Sequence, residues 1–187
     1  MMMKKKTKKT DSRRILRRLS SAALLSAVFT IFISAGTLYA ADAAVQVQLD
    51  IKRAGPRAIE SLTERGILRD YRFAWTSMAQ ALESNTVDPL EGAFAGDAKQ
   101  WLRQTVAGQQ HSGLSQRFAG QSHQLEAVFY APEGDVMELH DTAQYQLQIL
   151  DGNKVVHDEH VVVHYVVLMT PGADRWVVRQ LQAVPQF

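Results

Sequence analysis

The sequence predicts an α+β fold in which three helices pack on a curved four-stranded antiparallel sheet, preceded by an N-terminal transmembrane or signal helix. Three observations support this prediction: an uncharged apolar segment follows a basic arm, helical periodicity fills the next part of the chain, and period-two alternation fills the rest. A sheet with one apolar and one polar face must bury its apolar face, and the helical half provides the cover.

The charge of the chain is divided between two oppositely charged parts. The 187 residues carry 21 Lys+Arg and 19 Asp+Glu, a formal net charge of +2. Residues 1–40 hold nine basic residues and one acidic residue, a net of +8, so residues 41–187 hold 12 basic and 18 acidic residues, a net of −6. The basic arm lacks the aromatic and base-reading residues of nucleic-acid contacts, so no nucleic-acid partner is predicted. The chain has no cysteine, which excludes a disulfide scaffold, a zinc ribbon and a Cys nucleophile.

Residues 19–41 are predicted to be a transmembrane signal anchor or a signal peptide. The segment from Leu19 to about Ala40 has no charge, and about 20 apolar residues span a bilayer. The basic arm, residues 1–18, is expected to stay in the cytoplasm, because Lys/Arg-rich flanks do. We therefore expect a single-pass protein of the cell inner membrane whose C-terminal domain faces the periplasm. The alternative is secretion after cleavage of the signal near Ala41.

The helical part follows a short linker. Residues 42–56 are assigned to a juxtamembrane linker, which contains a brief period-two alternation over residues 45–51, and residues 57–187 are assigned to the folded domain. From Arg57 to near Ser84, apolar residues recur at steps of three and four, which predicts one long amphipathic helix.

Two shorter helices are predicted after the long one. Asp88-Pro89 favours a helix start, and a short helix is predicted over Leu90–Ala95. Asp97 is the expected N-cap of a third helix that ends near Gly108. Residues 108–122 are rich in Gly, Gln and Ser, which predicts a polar connection.

The last part of the chain alternates between apolar and polar residues. Short turn sequences such as Asp151-Gly152-Asn153 separate the alternating runs. The predicted strands cover residues 123–130, 136–150, 154–169 and 175–184. Because short turns join successive strands, we expect an antiparallel meander.

This order of elements resembles the NTF2-like, cystatin-related superfamily, an α+β cone. The resemblance covers residues 57–184 and depends on the long helix with Trp75, the Asn85-Thr86-Val87-Asp88 break, the helix around Trp101 and the final strand centred on Trp176. Membrane-anchored extracytoplasmic members mostly bind proteins, whereas others are small isomerases, hydrolases and dehydratases. The resemblance also implies dimerisation through the outer face of the sheet.

Asp141 is the candidate catalytic residue, because it lies on the otherwise apolar face of the second predicted strand. A carboxylate that faces a cavity acquires a raised pKa and can serve as a general base, as the resemblance to NTF2-like isomerases implies. His123 completes a His–Asp pair if the first two strands are neighbours. In the alternative interpretation, Asp141 marks a bulge or a register change, or forms a buried structural pair with an arginine.

Aromatic residues are candidates for lining a pocket in this domain. They are Tyr71, Trp75, Trp101 and Tyr145. The alternative is that they belong to the hydrophobic core, as aromatic residues at core spacing usually do.

The histidine-rich run His157-Asp158-Glu159-His160, with His164, does not have the geometry of a metal site. On a strand, His160 and His164 share a face while His157 points away, and His160 and His164 lie about 13 Å apart. We therefore predict no metal ligands and no cofactor.

These observations predict a membrane-tethered extracytoplasmic domain that acts in protein–protein interaction or envelope assembly, without catalysis. The alternative is a small cavity enzyme or ligand-binding protein that uses Asp141 as general base. The expected partners are the membrane, through residues 19–41, a second copy, through the outer sheet face, and envelope proteins. The two functions differ in whether Asp141 and His123 line a pocket that is open to solvent.

Overall fold

The computed structural model describes residues 44–187. The predictions for the basic arm, for the segment 19–41 and for the first two residues of the linker lie outside the described residues. Among residues 44–187, no helix is both long enough and apolar enough to cross a membrane.

The described part contains two α-helices and a five-stranded mixed sheet. In chain order the elements are β1 (Gln46–Asp50), α1 (Ser61–Ser84), a 3₁₀ turn (Asp88–Leu90), α2 (Gly96–Ser112), β2 (Leu114–Tyr130), β3 (Met137–Asp151), β4 (Lys154–Pro171) and β5 (Trp176–Val184). The strands lie in the order β1-β2-β3-β4-β5. β1 is parallel to β2, and the other neighbours are antiparallel.

The predicted arrangement of three helices on a four-stranded antiparallel sheet is therefore wrong in two places. Residues 45–51, assigned to the linker, contain β1, which pairs with residues 122–126 of β2 and makes the sheet mixed. Residues 91–95 form no helix. The Ala93 and Phe94 N–H groups donate to the Leu90 carbonyl in a single turn, and Phe94 then makes a parallel bridge with Val178 on the edge of β5. Backbone hydrogen bonds of Ala93 and Ala95 to Val178 stop the turn from continuing as a helix.

The predicted polar connection over residues 108–122 is also wrong. α2 continues to Ser112 and is terminated by Gly113 at a φ of 73°. β2 begins at once, at Leu114, and its first residues pair with the end of β3. Backbone pairing with β3 keeps this Gln- and Ser-rich segment extended, although its side chains lack an apolar pattern.

The antiparallel meander of the last four strands is confirmed, as is the end of the long helix at Ser84. Asn85 terminates α1 in the left-handed region, with a φ of 54°, a conformation that asparagine tolerates better than most residues. α1 begins at Ser61 rather than at Arg57, because Pro56 pairs with Tyr130 of β2 and holds the preceding chain extended.

The core lies between the helices and one face of the sheet. α1 and α2 bury residues at steps of three and four, which gives each helix a single apolar face. β3 buries alternate residues from Met137 to Tyr145 on the same side. A bulge in β2 after Ala127 turns Phe129 out of this face, and the residue is 39% exposed. Simple period-two alternation would have put Phe129 on the inner side with His123.

We expect Gly66→Ala to raise the free energy of unfolding by about 0.5–1 kcal/mol, because alanine costs less conformational entropy in a helix than glycine. A Cβ at this α1 position would lie 3.7 Å from Trp176 Cδ1, which is ordinary van der Waals contact. Urea denaturation measures the change. Gly134→Ala is the control and should be destabilising, since Gly134 has a φ of 81° and its Cβ would collide with the Arg57 guanidinium. A destabilised Gly66→Ala variant would contradict the packing of α1 on Trp176.

Candidate functional site

Asp141, His123 and Tyr71 meet inside the domain. The Tyr71 hydroxyl donates a hydrogen bond of 2.7 Å to Asp141 Oδ2, and His123 Nδ1 lies 2.8 Å from the same oxygen. The sheet register explains the contact between the strands: Asp141 is opposite Leu125, and His123 is two residues before Leu125 on the same face. α1 supplies the third member, because Tyr71 lies on its buried face.

This three-residue network is closed to solvent. The side chains of His123 and Asp141 are both 0% exposed. The Trp75 ring packs over the His123 ring with 4.2 Å between centroids, and Tyr71 meets the same ring edge-on at 5.7 Å. Burying a polar group costs free energy unless it is hydrogen-bonded, and the two bonds to Asp141 Oδ2 offset part of this cost. Asp141 Oδ1 and His123 Nε2 are buried without a hydrogen-bond partner among residues 44–187.

Burial also determines the protonation of Tyr71. Loss of hydration raises the pKa of its hydroxyl well above the usual value, and the nearby Asp141 carboxylate raises that pKa further. Tyr71 therefore keeps its proton and remains a hydrogen-bond donor to Asp141.

A second buried polar pair lies beside the first. The hydroxyls of Tyr145 and Tyr165, on neighbouring strands β3 and β4, are 3.2 Å apart. Trp75 contacts both rings, with centroid separations of 6.0 and 5.7 Å. Burial is the main cause of the raised pKa of each tyrosine.

The structure places three of the four predicted pocket residues in the core. Tyr71, Trp75 and Tyr145 are buried. Five clefts on the surface of residues 44–187 are lined by other residues, and not by these three, by His123 or by Asp141. Trp101 differs: its side chain is 46% exposed and lines a cleft of about 450 Å³ between α2 and β5.

The partners of Asp141 are not those that the structural alternative predicted. Asp141 bonds to a tyrosine and a histidine rather than to an arginine, and the register of β3 against β2 is regular at this position. Its role in catalysis stays a prediction. Among the residues that the structure describes, no three His, Cys, Asp or Glu side chains are grouped as a metal site.

Asp70 is a buried carboxylate that the sequence analysis did not identify. Its Oδ2 accepts a hydrogen bond of 2.8 Å from the Trp176 backbone N–H, and Arg69 binds both of its oxygens at 2.7 and 3.0 Å. Asp70 thereby joins α1 to the start of β5. The sequence indicates Asp70 only as an acidic residue next to Tyr71 on the buried face of α1. Its partner could not be predicted, because the Trp176 backbone N–H is distant in sequence and has no side-chain pattern.

The outer sheet face, on the side opposite the helices, is largely uncharged at its centre. We define it by Gln144 and Thr142 of β3, Val162 of β4 and Gln182 of β5, with Gln124 of β2. Val162 is 53% exposed. At one end, the Phe187 ring stacks on His140 with 4.2 Å between centroids and a 10° angle between planes, so the last residue folds back onto this face.

Comparison with known proteins shows a similarity of fold. No protein family matches the chain, and a search of the curated proteins finds no match. The chain is similar in structure to the intermembrane space region of chloroplast protein ARC6, with a TM-score of 0.53 and 11% sequence identity. The alignment covers 69% of this chain and 98% of that one. At this identity the likeness concerns the fold alone; it does not address the NTF2-like resemblance, which stays a prediction.

Proposed function

We propose that this protein presents a non-catalytic protein-interaction domain on the extracytoplasmic side of a membrane. One observation carries the proposal: the polar residues best suited to catalysis, Asp141 and His123, are completely enclosed. A general base must come within about 2.6–3.2 Å of the proton that it removes, and a substrate cannot do so in a filled core. The exposed surface is then the part of the domain that acts.

The outer sheet face is a suitable surface for self-association. Its central residues are uncharged, and interface centres are depleted of charged residues. Val162, which pairs with Gln144 on the neighbouring strand β3, adds an exposed apolar side chain. A second copy, meeting the first through this face, is the partner that we propose, with other envelope proteins as partners of the assembled domain.

The proposed location depends on the N-terminal segment. Residues 19–41 are expected to insert into the membrane with the basic arm in the cytoplasm, which leaves the domain outside. The similar ARC6 domain is described as an intermembrane space region, and such a location is consistent with an envelope protein.

The alternative, a cavity enzyme or ligand-binding protein with Asp141 as general base, has less support. It requires an opening from the surface to Asp141, and the clefts of residues 44–187 are lined by other residues. The bonds of Asp141 Oδ2 with Tyr71 and His123 are made without a ligand, although Asp141 Oδ1 and His123 Nε2 have no hydrogen-bond partner among residues 44–187.

We expect a photocrosslinking amino acid at Val162 of the full-length protein to produce a crosslinked species of twice the chain mass in intact cells. The matched control is Val156, an exposed valine of the same strand (50% exposed, against 53%) near the hairpin end. The expected result is a strong product from position 162 and little from position 156. Equal, weak products at both positions would contradict an interface on the outer sheet face.

A further inference from the structure

We propose that the groove between α2 and the free edge of β5 binds an extended segment of a partner protein. The segment adds to the sheet as a further strand and places an apolar side chain against Trp101. This inference rests on the proposed function and names a second surface, which meets the outer sheet face at Gln182 of β5, together with the chemistry of its partner.

The edge of β5 is only partly used by the chain itself. The Ala95 N–H donates to the Val178 carbonyl at 2.9 Å, and the Val178 N–H donates to the Ala93 carbonyl at 3.0 Å. Among residues 44–187, this is the only backbone pairing on that side of β5. From Gln180 to Val184, about 16 Å of strand at about 3.3 Å per residue therefore presents an open edge.

Residues 93–95 of the chain itself run parallel to β5 beside Val178, so this edge accepts an extended segment in parallel. These residues stop pairing with β5 where α2 begins, at Gly96. Gly96 has a φ of 52°, and a Cβ there would lie 3.0 Å from Arg179 Cγ and 3.3 Å from its carbonyl oxygen. The close approach at Gly96 and the departure of α2 beyond it leave a groove beside the rest of β5.

The groove has the shape and chemistry to hold a side chain next to the strand edge. Its volume is about 450 Å³. α2 contributes Asp97, Ala98 and Trp101, β5 contributes residues 180–183, and Tyr165 lies between them. Exposed tryptophans of this kind are the usual anchors of protein interfaces, because a large aromatic surface is buried at low cost in conformational entropy.

A polypeptide is the occupant that satisfies this surface. A strand edge offers N–H and C=O groups in a fixed repeat, and a strand added from another protein satisfies them in register. Natural sheets protect free edges with charged side chains, proline or bulges. β5 has a bulge at Arg179, and Pro185 follows its last residue, but residues 180–184 carry neither a charge nor a proline. Asp97 is the only charged residue that lines the groove, so a peptide with a basic residue is favoured over an acidic one.

The test is a library of random peptides, about nine residues long, selected against the immobilised full-length protein. One selected peptide is then labelled, and its binding is measured by fluorescence anisotropy. We expect Trp101→Ala to weaken binding about tenfold or more, as truncation of an interface anchor does. Phe129→Ala is the matched control, an exposed aromatic on β2, and should bind as the unchanged protein does. Equal thermal stability of the two variants would exclude unfolding as the cause.

Backbone methylation of the selected peptide tests strand addition itself. An added strand directs alternate N–H groups to β5 and the others to solvent. We expect N-methylation at alternate positions to abolish binding, and N-methylation at the intervening positions to leave it unchanged. Uniform tolerance of methylation would overturn the proposal, as would failure to select any peptide that depends on Trp101.

A second copy of the chain is the other occupant to exclude. If Trp101→Ala abolishes self-association and the selected peptide competes with self-association, the groove is a site for a second copy and the proposal is overturned. Crosslinking at Val162 is independent of these results. If no peptide binds but crosslinking at Val162 is intact, only the proposed peptide site is refuted. If neither is observed, the proposed function as a protein-interaction domain is refuted as well.

Discussion

Replacing Asp141 by alanine is expected to lower the free energy of unfolding by about 3–5 kcal/mol, the usual cost of removing one member of a buried, paired network. The substitution leaves the Tyr71 hydroxyl and His123 Nδ1 without their shared acceptor, in a region that water does not reach. Each unsatisfied donor costs about 1–3 kcal/mol. Urea unfolding of the purified protein, followed by tryptophan fluorescence, measures the loss.

Two further substitutions distinguish the loss of a buried hydrogen bond from the loss of a negative charge. Tyr71→Phe keeps the ring and removes one donor, so we expect it to cost about 1–2 kcal/mol, less than Asp141→Ala. Asp135→Ala removes an exposed carboxylate from the loop before β3, and no measurable change is expected. A loss for Asp135→Ala as large as that for Asp141→Ala would mean that net charge, and not the buried network, is responsible.

The same series distinguishes the structural role of Asp141 from catalysis. If Asp141 is a catalytic base, the Asp141→Asn variant keeps the fold and loses turnover. A structural acceptor is only partly replaced by asparagine, whose single amide oxygen can take the place of Oδ2 and accept both hydrogen bonds without the negative charge, so we expect a smaller loss of stability than for Asp141→Ala. If Asp141→Ala unfolds at the same urea concentration as the unchanged protein, the structural interpretation is wrong and the enzyme alternative gains support.

The contact of Asp141 with His123 follows from sequence patterns, but its enclosure does not. Period-two alternation puts both residues on the inner face, and short turns make β2 and β3 neighbours. Whether the space above them is open depends on how far α1 approaches the sheet. The position of Trp75 over the His123 ring is a result of helix-on-sheet packing that no local pattern encodes.

The errors in the fold have the same non-local origin. The alternation of residues 45–51 indicated an extended segment correctly, but nothing in it specified parallel pairing with β2. Residues 90–95 have helical composition, yet their backbone bonds to Val178 of β5. Likewise, the polar start of β2 is a strand because of its partner β3. Local propensity is outweighed wherever a distant strand offers hydrogen bonds to the backbone.

We expect the free energy of unfolding to fall steeply above about pH 10. Burial raises the pKa of Tyr71, Tyr145 and Tyr165 in the folded protein, whereas in the unfolded chain each tyrosine ionises near pH 10. Below pH 10, both states keep these protons, and the stability is fully present. Above pH 10, the unfolded state loses protons that the native state retains, so stability is lost as the pH rises.

The slope of the unfolding free energy against pH shows how many buried tyrosines cause this loss of stability. Each retained proton lowers the free energy of unfolding by up to about 1.4 kcal/mol per pH unit, so three buried tyrosines give up to about 4 kcal/mol per unit. Urea unfolding at several pH values between about 9 and 11.5 measures this slope. Tyr165→Phe removes one titrating group and should reduce the slope by about a third, while it keeps the ring against Trp75. If ultraviolet absorbance shows Tyr71 ionising near pH 10 in the folded protein, the network around Asp141 is in contact with water, and the sealed core on which the proposed function depends is not present.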